Sequence, residues 1–186
     1  MRAVSALATA LATALAIAVA SPVWAEGLDI PEGGYVVSDD VSLLPEAVRQ
    51  KRESLIAIAG TGDISALTPI LETDRTTVSF GEPEDRTAHL VAESMDGEGI
   101  ETLAILADIL AAPYAAMDGG DGDPIYVWPY LAAFESLADL SPDQLVDAYR
   151  IMAYAEFEEM KGLDAWYFWR VYVGPDGTLR AFVAGD

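Results

Sequence analysis

Trp166-Tyr167-Phe168-Trp169-Arg170-Val171-Tyr172-Val173 and Thr178-Leu179-Arg180-Ala181-Phe182-Val183 flank the tetrapeptide Gly174-Pro175-Asp176-Gly177. Two runs rich in aromatic and β-branched residues around a Gly-Pro-Asp-Gly turn predict a β-hairpin. If Gly177 takes a positive φ as a bulge, Val173 faces Leu179, Val171 faces Ala181 and Trp169 faces Val183, so that one face is wholly apolar. A slip by one residue would put Arg180 on that face, so burial selects the bulged register. The other face then carries Phe168, Arg170, Tyr172, Arg180 and Phe182. Two readings stand for it: a seat for an anionic or planar ligand, or packing against an acidic helix of the same chain.

Upstream of the hairpin the pattern is helical. Ser141-Pro142-Asp143-Gln144 has the form of a capping box with Pro in the first turn. Val146, Tyr149, Ala153, Phe157 and Met160 follow on one face up to Gly162, which predicts a single helix. Ile100, Leu103, Ala104, Leu106, Ala107, Ile109 and Leu110 leave only Glu101 and Asp108 as a polar stripe, the pattern of a helix buried on most sides and ended by Pro113. Another helix starts near Pro45, with Leu44, Val48, Leu55 and Ile58 on one face and Gly60 as its stop. It carries Arg49, Lys51 and Arg52, the one basic cluster, and Glu46 and Glu53 within helical reach of Arg49 predict a salt-bridged solvent face. Asp63 caps a short helix through Leu71, and residues 83–95 read as either a helix or a strand, with helix the favoured reading. Thr76-Thr77-Val78-Ser79-Phe80, closed by Gly81, is the strand candidate of the first half.

The expected fold is therefore α+β: a single, mostly helical domain over residues 45–186, with a small antiparallel sheet built on the C-terminal hairpin. Residues 26–44 hold five acids, two adjacent glycines and no base, and read as an extended acidic lead-in. Of the 16 aromatic residues after position 25, 14 lie from Tyr114 onward, which places the main core in the second half. Any exposed part of Tyr126-Val127-Trp128-Pro129-Tyr130 is the expected contact surface. Trp128 and Tyr130, with Arg170 on the hairpin, are the expected binding residues.

The first 25 residues are ordered like an export signal: Met1-Arg2, then an apolar run from Ala3 to Ala20, then Pro22 and Val23-Trp24-Ala25, with no acid before Glu26. Cleavage after Ala25 and a periplasmic or secreted location are expected, with no membrane insertion afterwards. An uncleaved anchor is the alternative, but the run is mostly Ala and barely long enough to span. With no Cys, neither a lipoprotein nor a disulfide scaffold is available.

The chain has 10 Lys and Arg against 31 Asp and Glu, a net charge of −21; loss of residues 1–25 removes only Arg2 and leaves −22. Such a charge repels phosphate backbones and anionic lipid heads, which argues against nucleic acid and favours cationic partners. A thiol nucleophile, a zinc site built on several His, and a Cys-held haem are excluded by zero Cys and one His. His89 lies beside Leu90 and Val91, no serine sits in a Gly-x-Ser-x-Gly elbow, and no phosphate-binding or dinucleotide glycine motif occurs. The carboxylates are too many to single out a hydrolytic pair. Asp118-Gly119-Gly120-Asp121-Gly122-Asp123 has calcium-like composition but neither the EF-hand nor the nonapeptide spacing, and reads as a flexible acidic connection. No metal or cofactor is expected.

The runs Gly62-Asp63-Ile64-Ser65-Ala66-Leu67, Val78-Ser79-Phe80-Gly81, Tyr126-Val127-Trp128-Pro129-Tyr130, Gly174-Pro175-Asp176-Gly177 and Phe182-Val183-Ala184-Gly185-Asp186 resemble a family of uncharacterised exported bacterial proteins. That resemblance implies localisation and fold, not an activity. The helix, the Gly-Asp step and the first strand are also similar to the opening of NTF2-like domains, a fold needing several more strands than the sequence displays. Two function classes follow: a non-catalytic module binding a protein or envelope component, and, as the alternative, a small-ligand or carboxylate-based hydrolytic domain.

Overall fold

Alternation along the strands is what gives this chain two cores. The computed structural model describes residues 28–79, 81–120 and 122–185; the export signal expected over 1–25, and Phe80 of the strand candidate, lie outside the described residues. Strand β1 (Tyr35–Ser38) is followed by helices α1 (Glu46–Ala59), α2 (Thr68–Asp74), α3 (Arg86–Glu93) and α4 (Ile100–Ala111). Then come β2 (Tyr114–Asp118), β3 (Pro124–Trp128), α5 (Pro142–Ile151), α6 (Tyr154–Leu163), β4 (Arg170–Val173) and β5 (Leu179–Val183). The five strands form one antiparallel sheet in the order β1-β2-β3-β4-β5. The fold is the expected single α+β domain.

Tyr114, Ala116, Tyr126, Trp128, Val171 and Val173 point to one face of the sheet. There they meet Val48 and Leu55 of α1, Leu71 of α2, Leu90 of α3 and Leu103, Leu106 and Leu110 of α4. Ala115 and Val127, one residue out of phase, point to the other face, against Leu131, Leu137, Ala148, Phe157 and Met160. The sheet is thus covered on both sides, and its middle strands lack the apolar/polar alternation of a half-exposed sheet.

Several helical turns begin on the capping residue their sequence offers. Asp63 Oδ1 accepts from Ser65 N at 3.0 Å, Asp85 Oδ1 from Ala88 N at 2.8 Å, and Gln144 Oε1 from Ser141 N at 2.8 Å. Arg49 pairs with both Glu46 and Glu53 along the solvent face of α1, as its spacing predicts.

Four expectations need correction. The boundary at Pro45 falls too late, because Tyr35–Ser38 inside the lead-in pairs with β2, from Tyr35↔Met117 to Ser38↔Tyr114, and supplies the sheet's first strand. Residues 76–79 do not form a strand; they touch the sheet by one parallel bridge, Thr77 to Ala181. The helix expected over 142–162 breaks at Met152–Ala153, both extended. The break lets Ala148, Met152, Phe157 and Met160 all reach one core while Val146 and Tyr149 stay exposed.

The hairpin register is the fourth. Val173 pairs with Leu179 and Gly177 has φ +80°, as expected, but a second irregularity at Arg180 shifts the remaining pairs to Tyr172↔Ala181, Val171↔Phe182 and Arg170↔Val183. Arg180 loops into solvent and Phe182 turns inward onto Trp169, with ring centroids 4.6 Å apart. Burying a phenyl ring outweighs one irregular ladder step. Gly177 is required twice over, since a Cβ there would also lie 2.7 Å from the Ala47 carbonyl oxygen.

Candidate functional site

The sheet has two edge strands, and the chain treats them differently. Along β5, Thr77 N donates to Arg180 O at 3.0 Å and Phe182 N donates to Thr77 O at 2.9 Å. Thr76 Oγ1 donates to Leu179 O at 3.0 Å, and Leu179 N to Asp74 Oδ2 at 2.8 Å. Asp74 is in turn held by Lys51 Nζ at 2.6 Å. That edge is closed.

Along β1 no strand lies outside among the described residues. Asp118 N donates to Gly34 O at 3.0 Å, which makes Gly34–Asp118 a hydrogen-bonded pair and fixes the parity of the ladder. Val36 and Ser38 bond toward β2, so the N–H and C=O groups of Tyr35 and Val37 point outward. Their side chains are 38% and 40% exposed, and Val41 just beyond is 37% exposed. Tyr35 stacks on Phe134 at 5.5 Å, and Phe134 meets Tyr130 edge-on at 5.5 Å. An aromatic chain therefore runs from the open edge into the second core.

Both ends of β1 are tied down, the start by a carboxylate and the far end by a phenol. Asp118 Oδ2 accepts from Gly33 N at 2.7 Å and its Oδ1 from Gly120 N at 2.9 Å, and these two backbone bonds hold its carboxyl below the usual range. At the far end Tyr114 Oη donates to Asp40 O at 3.1 Å, while the Asp40 carboxylate, lowered by its bonds from Ser42, caps the turn that follows. Asp29, Glu32, Asp39 and Asp40 are exposed around the strand. A groove of about 440 Å³ adjoins its start, between Leu28, Ile30 and Tyr126, with Asp29, Glu32 and Asp118 at its walls.

The residues expected to bind lie elsewhere. Trp128 is fully buried, packed on Tyr114 at 5.5 Å, and its Nε1 has no hydrogen-bond partner among the described residues. Tyr130 is 4% exposed and donates from its hydroxyl to Asp147 Oδ2 at 3.1 Å; burial, and then the Asp147 charge, push its phenol pKa upward. Neither presents a surface, because the aromatic run that looked like a patch is a central strand and the turn after it. Arg170 is half-buried and donates to Phe168 O at 3.4 Å, with no ion pair among the described residues. The aromatic and basic face expected around it is not assembled, since Phe182 turns to the core and Arg180 lies 3.6 Å from Asp176.

His89 is half-buried on α3, and its ring has no hydrogen-bond partner among the described residues. No group of three or more His, Asp or Glu placed to hold a metal ion occurs among them, although Asp121 of the Asp118–Asp123 turn lies outside. No helix among them is long and apolar enough to cross a membrane. Sequence reasoning missed the β1 edge because four residues, Tyr35-Val36-Val37-Ser38, stand alone in an acidic segment; their β-prone character was the one available signal. No protein-family model, curated protein or solved structure matches this chain.

Proposed function

We propose that this chain is an exported, non-catalytic interaction module that docks a protein partner at the outer edge of β1. The observation that carries the reading is the asymmetry of the two edges. β5 is sealed by Thr76, Thr77 and Asp74, whereas β1 offers outward backbone groups at Tyr35 and Val37 beside half-exposed side chains. Natural sheets blunt such edges with Lys, Pro or bulges; β1 carries none of these and limits itself only by its length.

The hydrolytic alternative has less support. A general acid working near neutral pH needs its pKa raised, and every carboxylate with a clear shift among the described residues is lowered. The order of residues 1–25, which is that of an export signal, supports the extracytoplasmic part of the reading.

The test is expression of the full chain with a C-terminal tag in a bacterium, followed by cell fractionation, intact-mass measurement and crosslinking in the cell. An extracytoplasmic product beginning at Glu26, with a specific crosslinked partner lost on Val37→Pro, supports the reading. A cytoplasmic product, or capture indifferent to Val37→Pro, refutes it.

A further inference from the structure

We infer that the occupant of the β1 edge is an extended peptide segment bearing Lys or Arg, added to the sheet as a sixth strand. This rests on the reading of the chain as an interaction module and names its partner's chemistry. Tyr35 and Val37 each direct one N–H and one C=O outward, so a strand laid alongside gains up to four main-chain bonds without moving β1. Those bonds are blind to sequence; side chains and charge must select the partner.

The selection is written in the surroundings. On one face the half-exposed Tyr35 and Val37, with the Tyr35 ring set on Phe134, give alternate apolar side chains of an added strand something to cover. At the two ends stand Glu32 and Asp39, exposed and without a hydrogen bond or ion pair among the described residues, together with Asp29 and Asp40. There is no Lys or Arg between residues 28 and 48. An acidic or uncharged strand would meet only repulsion or indifference there. A segment alternating aliphatic residues with Lys or Arg meets complementary charge at both ends while its apolar side chains reach Tyr35 and Val37. The pinning of β1 by Asp118 and by Tyr114 holds the edge in its bound shape before a partner arrives, which lowers the ordering cost of binding.

The experiment measures binding of three ten-residue peptides to the full chain by calorimetry: one alternating Lys with Val, one alternating Glu with Val, and the first N-methylated at alternate amides. The Lys-Val peptide is expected to bind at least about tenfold more tightly than either control. Its affinity should fall at least about tenfold between roughly 0.05 and 0.5 M salt, because the attraction is between solvent-exposed charges. Val37→Pro removes an outward N–H and should abolish binding, with its fold checked by circular dichroism and its denaturation midpoint. Glu32→Gln with Asp39→Asn should weaken binding and flatten the salt dependence while leaving the midpoint in place.

Equal binding of the N-methylated peptide would reduce the effect to diffuse charge attraction and overturn the proposal. So would equal binding of the Glu-Val peptide, a dimer of this chain formed through β1, or peptide binding that appears only after residues 1–27 are removed. Peptide failure alongside a cellular partner still lost on Val37→Pro overturns the partner chemistry alone. Failure of both overturns the module reading as well.

Discussion

At β5 the sheet ends beneath Thr76 and Thr77 and against Asp74, with Phe182 driven into the core; at β1 it ends with no further strand among the described residues, and Tyr35 and Val37 are more than a third exposed. The two edges belong to the same five-stranded sheet and differ in what surrounds them. β5 takes its cover from the end of α2, through Asp74, and from the α2–α3 connection, which contributes Thr76 and one parallel bridge at Thr77. β1 follows a turn at Pro31–Gly34 and has only β2 as a neighbour among the described residues. An edge that is closed by Asp74 of α2 together with Thr76 and Thr77 of the following connection is a stability feature. β1 presents the outward backbone groups of Tyr35 and Val37 with no strand beyond them among the described residues.

The contrast predicts a steep difference in mutational cost. Phe182→Ala removes a ring that is 1% exposed and packed at a tilt on Trp169, and should destabilise by about 3–5 kcal/mol in urea unfolding. Tyr35→Ala at the opposite edge should cost about 1 kcal/mol, the scale of one half-exposed aromatic contact. Equal costs at the two positions would mean that β1 is as deeply integrated as β5.

Next in size is Asp74→Ala. Its carboxylate accepts from both Lys51 Nζ and Leu179 N with side-chain exposures of 12% and 18% for the pair, so the loss strips α1 and β5 of a shared anchor. A cost of about 2–3 kcal/mol is expected, between exposed and fully buried ion pairs. Thr76→Val should follow at about 1–2 kcal/mol, since it keeps the shape of a wholly buried side chain but leaves Leu179 O without its donor. Both should speed hydrogen exchange at the Thr77 and Phe182 amides and leave β1 amides unchanged. Exchange that rose equally at both edges would show that the cover acts on the whole sheet.

The sealed edge was the more legible of the two in the sequence. The hairpin was readable from its turn and its β-branched runs, and its first pair, Val173 with Leu179, follows from the apolar face alone. The step at Arg180 was not readable, because it depends on Phe182 finding Trp169, a contact no local pattern encodes. β2 was hidden for a different reason. Tyr114-Ala115-Ala116-Met117 is buried on both faces and made largely of alanine, so it lacks both the alternation and the β-branched composition that mark a strand. Trp128 and Tyr130 misled in the same way: aromatic density in sequence reports burial as readily as contact, and only the sheet order shows that β3 is central. The helix break at Met152 is likewise a tertiary event, since the Ser141 cap and the apolar spacing are both consistent with an unbroken helix.

The finest distinction between the edges is chemical. On the β5 side the Asp74 carboxylate is ion-paired with Lys51, whereas the start of β1 hangs on the Asp118 carboxylate, which accepts from Gly33 N and Gly120 N. Those bonds lower its pKa from the ordinary 3.8, so the folded state favours the charged form. The stabilisation is therefore complete above that ordinary value and is lost as pH falls through the lowered folded-state value. Relief of the repulsion among 31 acids accompanies the same titration, but it acts on the molecule as a whole and not on one edge. The ratio of exchange protection at Gly33 and Asp118 to that at Val127 and Val171, in the middle strands of the sheet, cancels the global change. That ratio should hold steady from neutral pH down to the carboxylate range and then fall, whereas in Asp118→Asn it should be lower throughout and flat with pH. A wild-type ratio that stayed level through the carboxylate range would detach β1 from Asp118 and leave its straightness to the β2 ladder alone.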